Sequence, residues 1–172
     1  LNTLAKQEIE KRHAVPSFEG YRQRESDTPF PAVLCASVNS EVVHGPGNRE
    51  RALTTGDIIG LDLGLQHKGW HTDLAGTVPV GAVPKEVMTL ISVTEEALRA
   101  GIGKLRPGVS LYTLSTAIYE VITKAGFGVV TSFCGHGVGK KVHEEPMVPN
   151  YPTEQAKRIL LEEGMTLAIE PM

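Results

Sequence analysis

The sequence predicts an α+β fold. Two apolar–polar alternating runs within 57–80 have the two-residue period of a β-hairpin. Two stretches of helical period follow over 84–105 and 110–126, and strand-like runs return at 127–133 and 165–170. Strands, then helices, then strands keep the two kinds of element apart along the chain, which is the α+β order. At 172 residues, 41% of them hydrophobic and 22% charged, the chain can bury a sizeable core as one soluble domain. The net charge of −3 mixes acids and bases along the chain, so neither a nucleic acid nor a membrane is expected as a partner. No apolar run approaches a membrane span. Cys35 and Cys134 stand in unrelated contexts and read as free thiols, which suits a reducing cytoplasm.

Each element has its own signal. Residues 3–13 read as a polar helix end with Thr3 as its cap and Leu4 and Ile9 as apolar anchors. A loop with Pro16, Phe18, Gly20 and Tyr21 leads through a charged stretch to Ala32–Val38, a short apolar strand. Val42 to Gly47 enters a turn at Gly45-Pro46-Gly47. In the hairpin, Ile59, Leu61, Leu63 and Leu65 share one face, and Gly60, Asp62 and Gly64 the other. With Gln66-His67-Lys68-Gly69 as the turn, Leu65 pairs with Trp70 and Asp62 directly with Asp73. Pro84 opens a helix with Val87, Leu90, Ile91, Thr94 and Leu98 inward. Ser110 caps a second, with Leu111, Leu114, Ile118, Val121 and Ile122 inward and Gly126 at its end. Residues 127–133 read as a strand, Gly135–Gly139 as a flexible loop, 153–163 as a short helix and 165–170 as a strand.

Two acids opposed across a hairpin repel one another, and the glycines beside Asp62 leave nothing to shield it. A bound cation removes the conflict, and carboxylates are ligands for hard or borderline divalent ions. The alternative is an exposed hairpin edge with solvated acids. His136 stands among Gly135, Gly137 and Gly139, where an imidazole can project into a site or simply mark a turn. Glu170 is an acid among small residues on its strand face. Together the four raise a metal site above its parts, and an Asp/His/Glu set suits Mn, Fe, Co or Zn alike. His44 precedes a Gly-Pro turn and His143 precedes Glu144-Glu145-Pro146; a turn role and a structural role are their plain alternatives. The spacing rules out a helical His-Glu-x-x-His zinc motif, and no Gly-x-Ser-x-Gly elbow supports a serine hydrolase.

The segments Ser37-Val-Asn-Ser-Glu-Val-Val-His-Gly45, Gly56-Asp-Ile-Ile-Gly-Leu-Asp-Leu-Gly64, Thr72-Asp-Leu-Ala-Gly-Thr77, Gly135-His-Gly-Val-Gly139, His143-Glu-Glu-Pro146 and Ile169-Glu-Pro-Met172 resemble type I methionine aminopeptidase, of peptidase family M24. The resemblance runs through nearly the whole chain in the family's order. It implies the pita-bread fold, a single catalytic domain over 1–172 with pseudo-twofold halves at 1–82 and 83–172. It implies two divalent metal ions, with Asp62 on the first, Asp73 bridging both, and His136 and Glu170 on the second. Glu170 is further implied as general base, and His44 and His143 as substrate-side histidines at the scissile amide and its oxyanion. Phe18, Tyr21 and Cys35 match the methionine pocket, although the loop from Arg22 to Thr28 is longer than the family's. The implied activity is removal of N-terminal methionine before a small second residue, by a cytoplasmic monomer acting on peptides or nascent chains. The ribosome is left open as a partner.

The chain opens on Leu1 and stops at Met172 as an apolar run develops, which predicts a piece of a longer protein. The family's fifth ligand, a second glutamate, lies beyond the Glu-Pro segment, so this piece is expected to bind metal and turn over poorly. Two other functions remain: an X-Pro aminopeptidase or prolidase of the same fold, and a non-catalytic binding module of that fold. The Ser37-Val-Asn39 to His44-Gly45 signature speaks against the first, and the presence of all four ligands against the second.

Overall fold

The hairpin is present, and one half of the chain is assembled around it. In the computed structural model, which describes residues 1–172, the chain divides into two compact units. The first comprises Leu1–Pro84 with Gly139–Val142, the second Lys85–Val138 with His143–Met172.

Unit 1 holds α1 (Asn2–Lys11), β1 (Val15–Pro16), β2 (Cys35–Val38), β3 (Ile58–His67) and β4 (Trp70–Pro79). β3 is the middle of the sheet. β4 runs antiparallel along its whole length, while β2 and then β1 occupy its other edge, opposite Ile59–Asp62 and Leu65–Gln66. The turn is shorter than expected. His67 pairs with Trp70, leaving only Lys68 and Gly69, at φ 50° and 81°, as the two left-handed residues of a tight hairpin turn. Asp62 therefore faces Ala75, and Asp73 faces Gly64. The two acids are not directly opposed, as the four-residue turn required. They still share one face, a diagonal step apart, because facing residues of a ladder point the same way.

Helix α1 differs in detail. Leu1 takes the cap position without a side-chain cap, and Thr3 lies inside the helix. The Asn2 side chain instead ties the helix to the strand approach, its Oδ1 accepting from Val33 N (2.9 Å) and Leu34 N (3.1 Å). Ile9 is buried, whereas Leu4 is exposed.

Unit 2 is built on α2 (Lys85–Ile102) and α3 (Leu111–Lys124). Leu111, Leu114, Ile118 and Ile122 of α3 form its core with Ala97, Val148, Ala156 and Leu161. α2 meets this core through Ala97 and Gly101, where a Cβ would stand 2.9 Å from Ile118 Cγ1. The expected stripe Val87, Ile91, Thr94 and Leu98 is only half-buried, and Leu90 is exposed. Small residues set the closest approach, and a reading by hydrophobicity passes over them. Gly126, at φ 83°, ends α3 as expected. Ser110 holds the cap position but makes no side-chain cap hydrogen bond.

The second sheet corrects three expectations. Residues 127–133 form no strand, while the expected loop contains β5 (Gly135–Gly137), flanked by β6 (Glu144–Val148) and β7 (Leu167–Ala168). The glycines make this possible: a Cβ at Gly135 would lie 2.2 Å from Ala168 O, and one at Gly137 2.3 Å from Glu145 O. Residues 153–163 contain only a short 3-10 turn, Ala156–Arg158. The chain after it is drawn out straight, with Leu111 N donating to Ile159 O (2.9 Å), Leu161 N to Val109 O (2.8 Å) and Gly108 N to Leu161 O (2.8 Å). Those bonds use backbone groups that a helix would have needed. No helix is long and apolar enough to cross a membrane.

Candidate active site

Unit 1 gathers the two aspartates and the expected pocket residues. Cys35 lies opposite Asp62 across the β2–β3 ladder and is buried. Burial pushes its thiol up to about 12, and the negative charges of Asp62 and Asp73 push the same way. Phe18, Cys35 and Val142 form one buried cluster, with Tyr21 and Phe30 packed against it. The residue facing Asp73 is a glycine for a steric reason: a Cβ on Gly64 would stand 2.5 Å from Phe18 Cε1. Tyr21 is fixed by a tight turn, its N–H donating to Phe18 O (2.9 Å) across Gly20 at φ 82°. The long excursion after it is closed at its base, where Phe30 N donates to Tyr21 O (2.9 Å) and Gly20 N to Phe30 O (2.8 Å).

A half-buried histidine braces this corner. The Gln66 amide nitrogen, 2.9 Å from His71 Nε2, can only donate. His71 Nδ1 therefore carries the proton and donates to Ser17 Oγ at 2.8 Å, next to Phe18. His71 N in turn donates to Gly139 O (2.7 Å), and Lys140 Nζ sits 3.8 Å over the Trp70 ring, which fastens the Gly139–Val142 segment to the hairpin.

His44 stands exposed on the loop after β2, in the left-handed region at φ 61°. Just after it the loop is stitched to β2 by Ala36 N to Gly45 O (2.6 Å) and Gly45 N to Ser37 Oγ (3.0 Å), and to the residue before β2 by Gly47 N to Leu34 O (2.9 Å).

In unit 2, β5 and the chain after β7 bring three expected residues together. His136 is buried, flanked by its two glycines and paired with Ala168. Its Nδ1 lies 2.8 Å from Gly137 O, and a carbonyl only accepts, so Nδ1 holds the proton and Nε2 presents a lone pair. That Nε2 lies 3.1 Å from Glu170 Oε1, a buried oxygen that makes no hydrogen bond. Two electron-pair donors this close, with no hydrogen bond between them, fit a cation held by both, and the Gly137 carbonyl on Nδ1 is the kind of partner that orients a metal-bound histidine. The His143 ring packs edge-on against His136, with centroids 4.4 Å apart. Asn150, fully buried, donates through Nδ2 to Glu170 O (2.7 Å) and fixes the backbone that carries the carboxylate.

The sequence model of metallopeptidase family M24 matches residues 3–172. A methionine aminopeptidase from Aquifex aeolicus is 42% identical over the whole of this chain, which spans 67% of that protein. The chain belongs to the methionine aminopeptidases of family M24. A solved methionine aminopeptidase from Thermotoga maritima superposes with a TM-score of 0.91 at 38% identity, covering 99% of this chain and 66% of that one. The prolidase of Pyrococcus horikoshii is a more distant neighbour, with a TM-score of 0.68, 26% identity and coverage of 80% and 39%. The pita-bread fold follows from these likenesses, as does the use of divalent metal by a metallopeptidase. The chain spans about two thirds of the length of the curated relatives it matches.

Several residues of this family member carried no signal in the sequence. Val142, the third wall of the Phe18–Cys35 cluster, reads as an ordinary apolar residue. Ser17, Gln66 and His71 meet only through the hairpin and the β1–β3 pairing. Asn150 reads as a loop asparagine.

Proposed function

We propose that the protein containing this chain removes N-terminal methionine from peptides and nascent chains, favouring a small second residue, as a cytoplasmic monomer. The observation that carries the metal-dependent chemistry is the approach of His136 Nε2 to Glu170 Oε1, with Nδ1 already committed to a backbone carbonyl. The similarity to methionine aminopeptidases along the whole chain supports the choice of substrate.

In this reading Asp62 would hold a first divalent ion, Asp73 would be shared with a second, and His136 and Glu170 would complete the donors this chain supplies. Two such ions, of the Mn, Fe, Co or Zn kind, contribute activation of water and polarisation of the scissile carbonyl. Glu170 receives the proton of the attacking water. His44 and His143 face the scissile amide and donate to the oxygen on which charge develops. Phe18, Tyr21 and Cys35 receive the methionine side chain, a flexible and polarisable group suited to an apolar wall.

The test is an assay of the full-length, metal-loaded protein on Met-Ala-Ser and Ala-Pro peptides, with a parallel titration of divalent ions. Release of methionine from the first peptide is expected. Cleavage only before proline would move the protein to the prolidases, and failure to bind any divalent ion stoichiometrically would make it a non-catalytic module.

A further inference from the structure

We propose that Arg49 is a positioning residue for His44, holding the histidine's backbone in place through Gly45 and Glu41. The inference rests on the reading of His44 as a substrate-side residue.

His44 is held at φ 61°, where a side chain with a Cβ is strained by about 1–2 kcal/mol, so the loop around it has to supply the constraint. Before His44, the loop closes on itself through Glu41, whose Oε2 accepts from Val38 N (2.9 Å) while Glu41 N donates to Val38 O (3.2 Å). After His44, Gly45 is hydrogen-bonded to β2 and Gly47 to Leu34 just before it. Arg49 joins the two sides. Its Nη1 and Nη2 donate to the two Glu41 oxygens at 2.9 and 2.8 Å, and its Nε to Pro46 O at 3.2 Å. The same guanidinium lies flush against the backbone beside His44: a Cβ on Gly45 would meet Nη2 at 2.9 Å.

This arrangement needs arginine. A planar fork satisfies both carboxylate oxygens and a carbonyl at once, which a lysine ammonium cannot do in this geometry. Arg51 reaches Glu41 only at 3.9 Å and is no substitute. Both partners are partly exposed, and such pairs add little to stability. What the fork supplies is the placement of the loop, and a displacement of about 1 Å at a group contacting substrate can cost about 100-fold in rate.

The experiment is a double-mutant cycle in the intact, metal-loaded enzyme, with kcat and KM measured on Met-Ala-Ser. Arg49→Met is expected to lower kcat about 10- to 100-fold with KM little changed, and Arg49→Lys to restore little of it. In a His44→Ala background, Arg49→Met should have no further effect, because the group it positions is already gone. An equal loss in both backgrounds, or no loss in either, overturns the proposal. A wild-type enzyme that releases no methionine would instead defeat the functional reading. The His44 imidazole resonances then decide: a clear shift in Arg49→Met supports the positioning role, and unchanged resonances overturn it.

Discussion

Gly64 shows how much a single missing side chain can decide. It faces Asp73 on the ladder, and the Phe18 ring fills the space that a Cβ would take. Gly64→Ala should force the ring aside and destabilise the protein by about 1–3 kcal/mol, measured by urea unfolding. Glu41 offers a test by pH. The Arg49 guanidinium, and then the Val38 N–H, hold its carboxyl below the usual glutamate range. A lowered folded value means that the tie is intact above the ordinary glutamate range and is lost as pH falls through the folded midpoint. An NMR titration should place the Glu41 midpoint below that of an ordinary glutamate, and Arg49→Met should return it upward.

At the scale of elements, the two-residue turn sets the register on which the hairpin's chemistry depends. Lys68 occupies a left-handed position that asparagine or glycine adopts more easily. Lys68→Gly should therefore raise the melting temperature by relieving up to about 1–2 kcal/mol of strain. Thermal unfolding would check it. The hairpin itself was legible because alternation survives in Ile58–Leu65; its register was not, because Gln66 and His67 extend the ladder although they read as turn residues. Strand β5 was hidden for the opposite reason. Gly135 and Gly137 look like loop residues until a partner's carbonyl is seen to occupy the space where their Cβ atoms would be. Candidate ligands were legible because carboxylates and imidazoles stand out among small neighbours. Arg49, Val142 and Asn150 were not, since each acts on a residue whose position only the fold reveals. On the helical side, Leu114 is fully buried in the α3 core, and Leu114→Ala should cost about 2–5 kcal/mol in the same unfolding assay.

For the whole molecule, metal and stability should be linked. A divalent ion bound only by the folded protein stabilises it by about 2.7 kcal/mol when present at about 100 times its dissociation constant. Addition of Mn or Co should raise the melting temperature of the full-length protein, a chelator should reverse the gain, and His136→Ala should weaken it sharply. The Gly139–Val142 segment has a further consequence, for the order of events during synthesis. Val142 completes the cluster around Phe18 and Cys35, and Lys140 seats on Trp70, yet residues 85–138 are translated in between. A nascent chain grows from its N-terminus at about 5–20 residues per second. The first unit made is thus kept waiting for its last wall while most of the second emerges, and a chain stalled before Gly139 displays Phe18 and Cys35 to any chaperone at the tunnel exit.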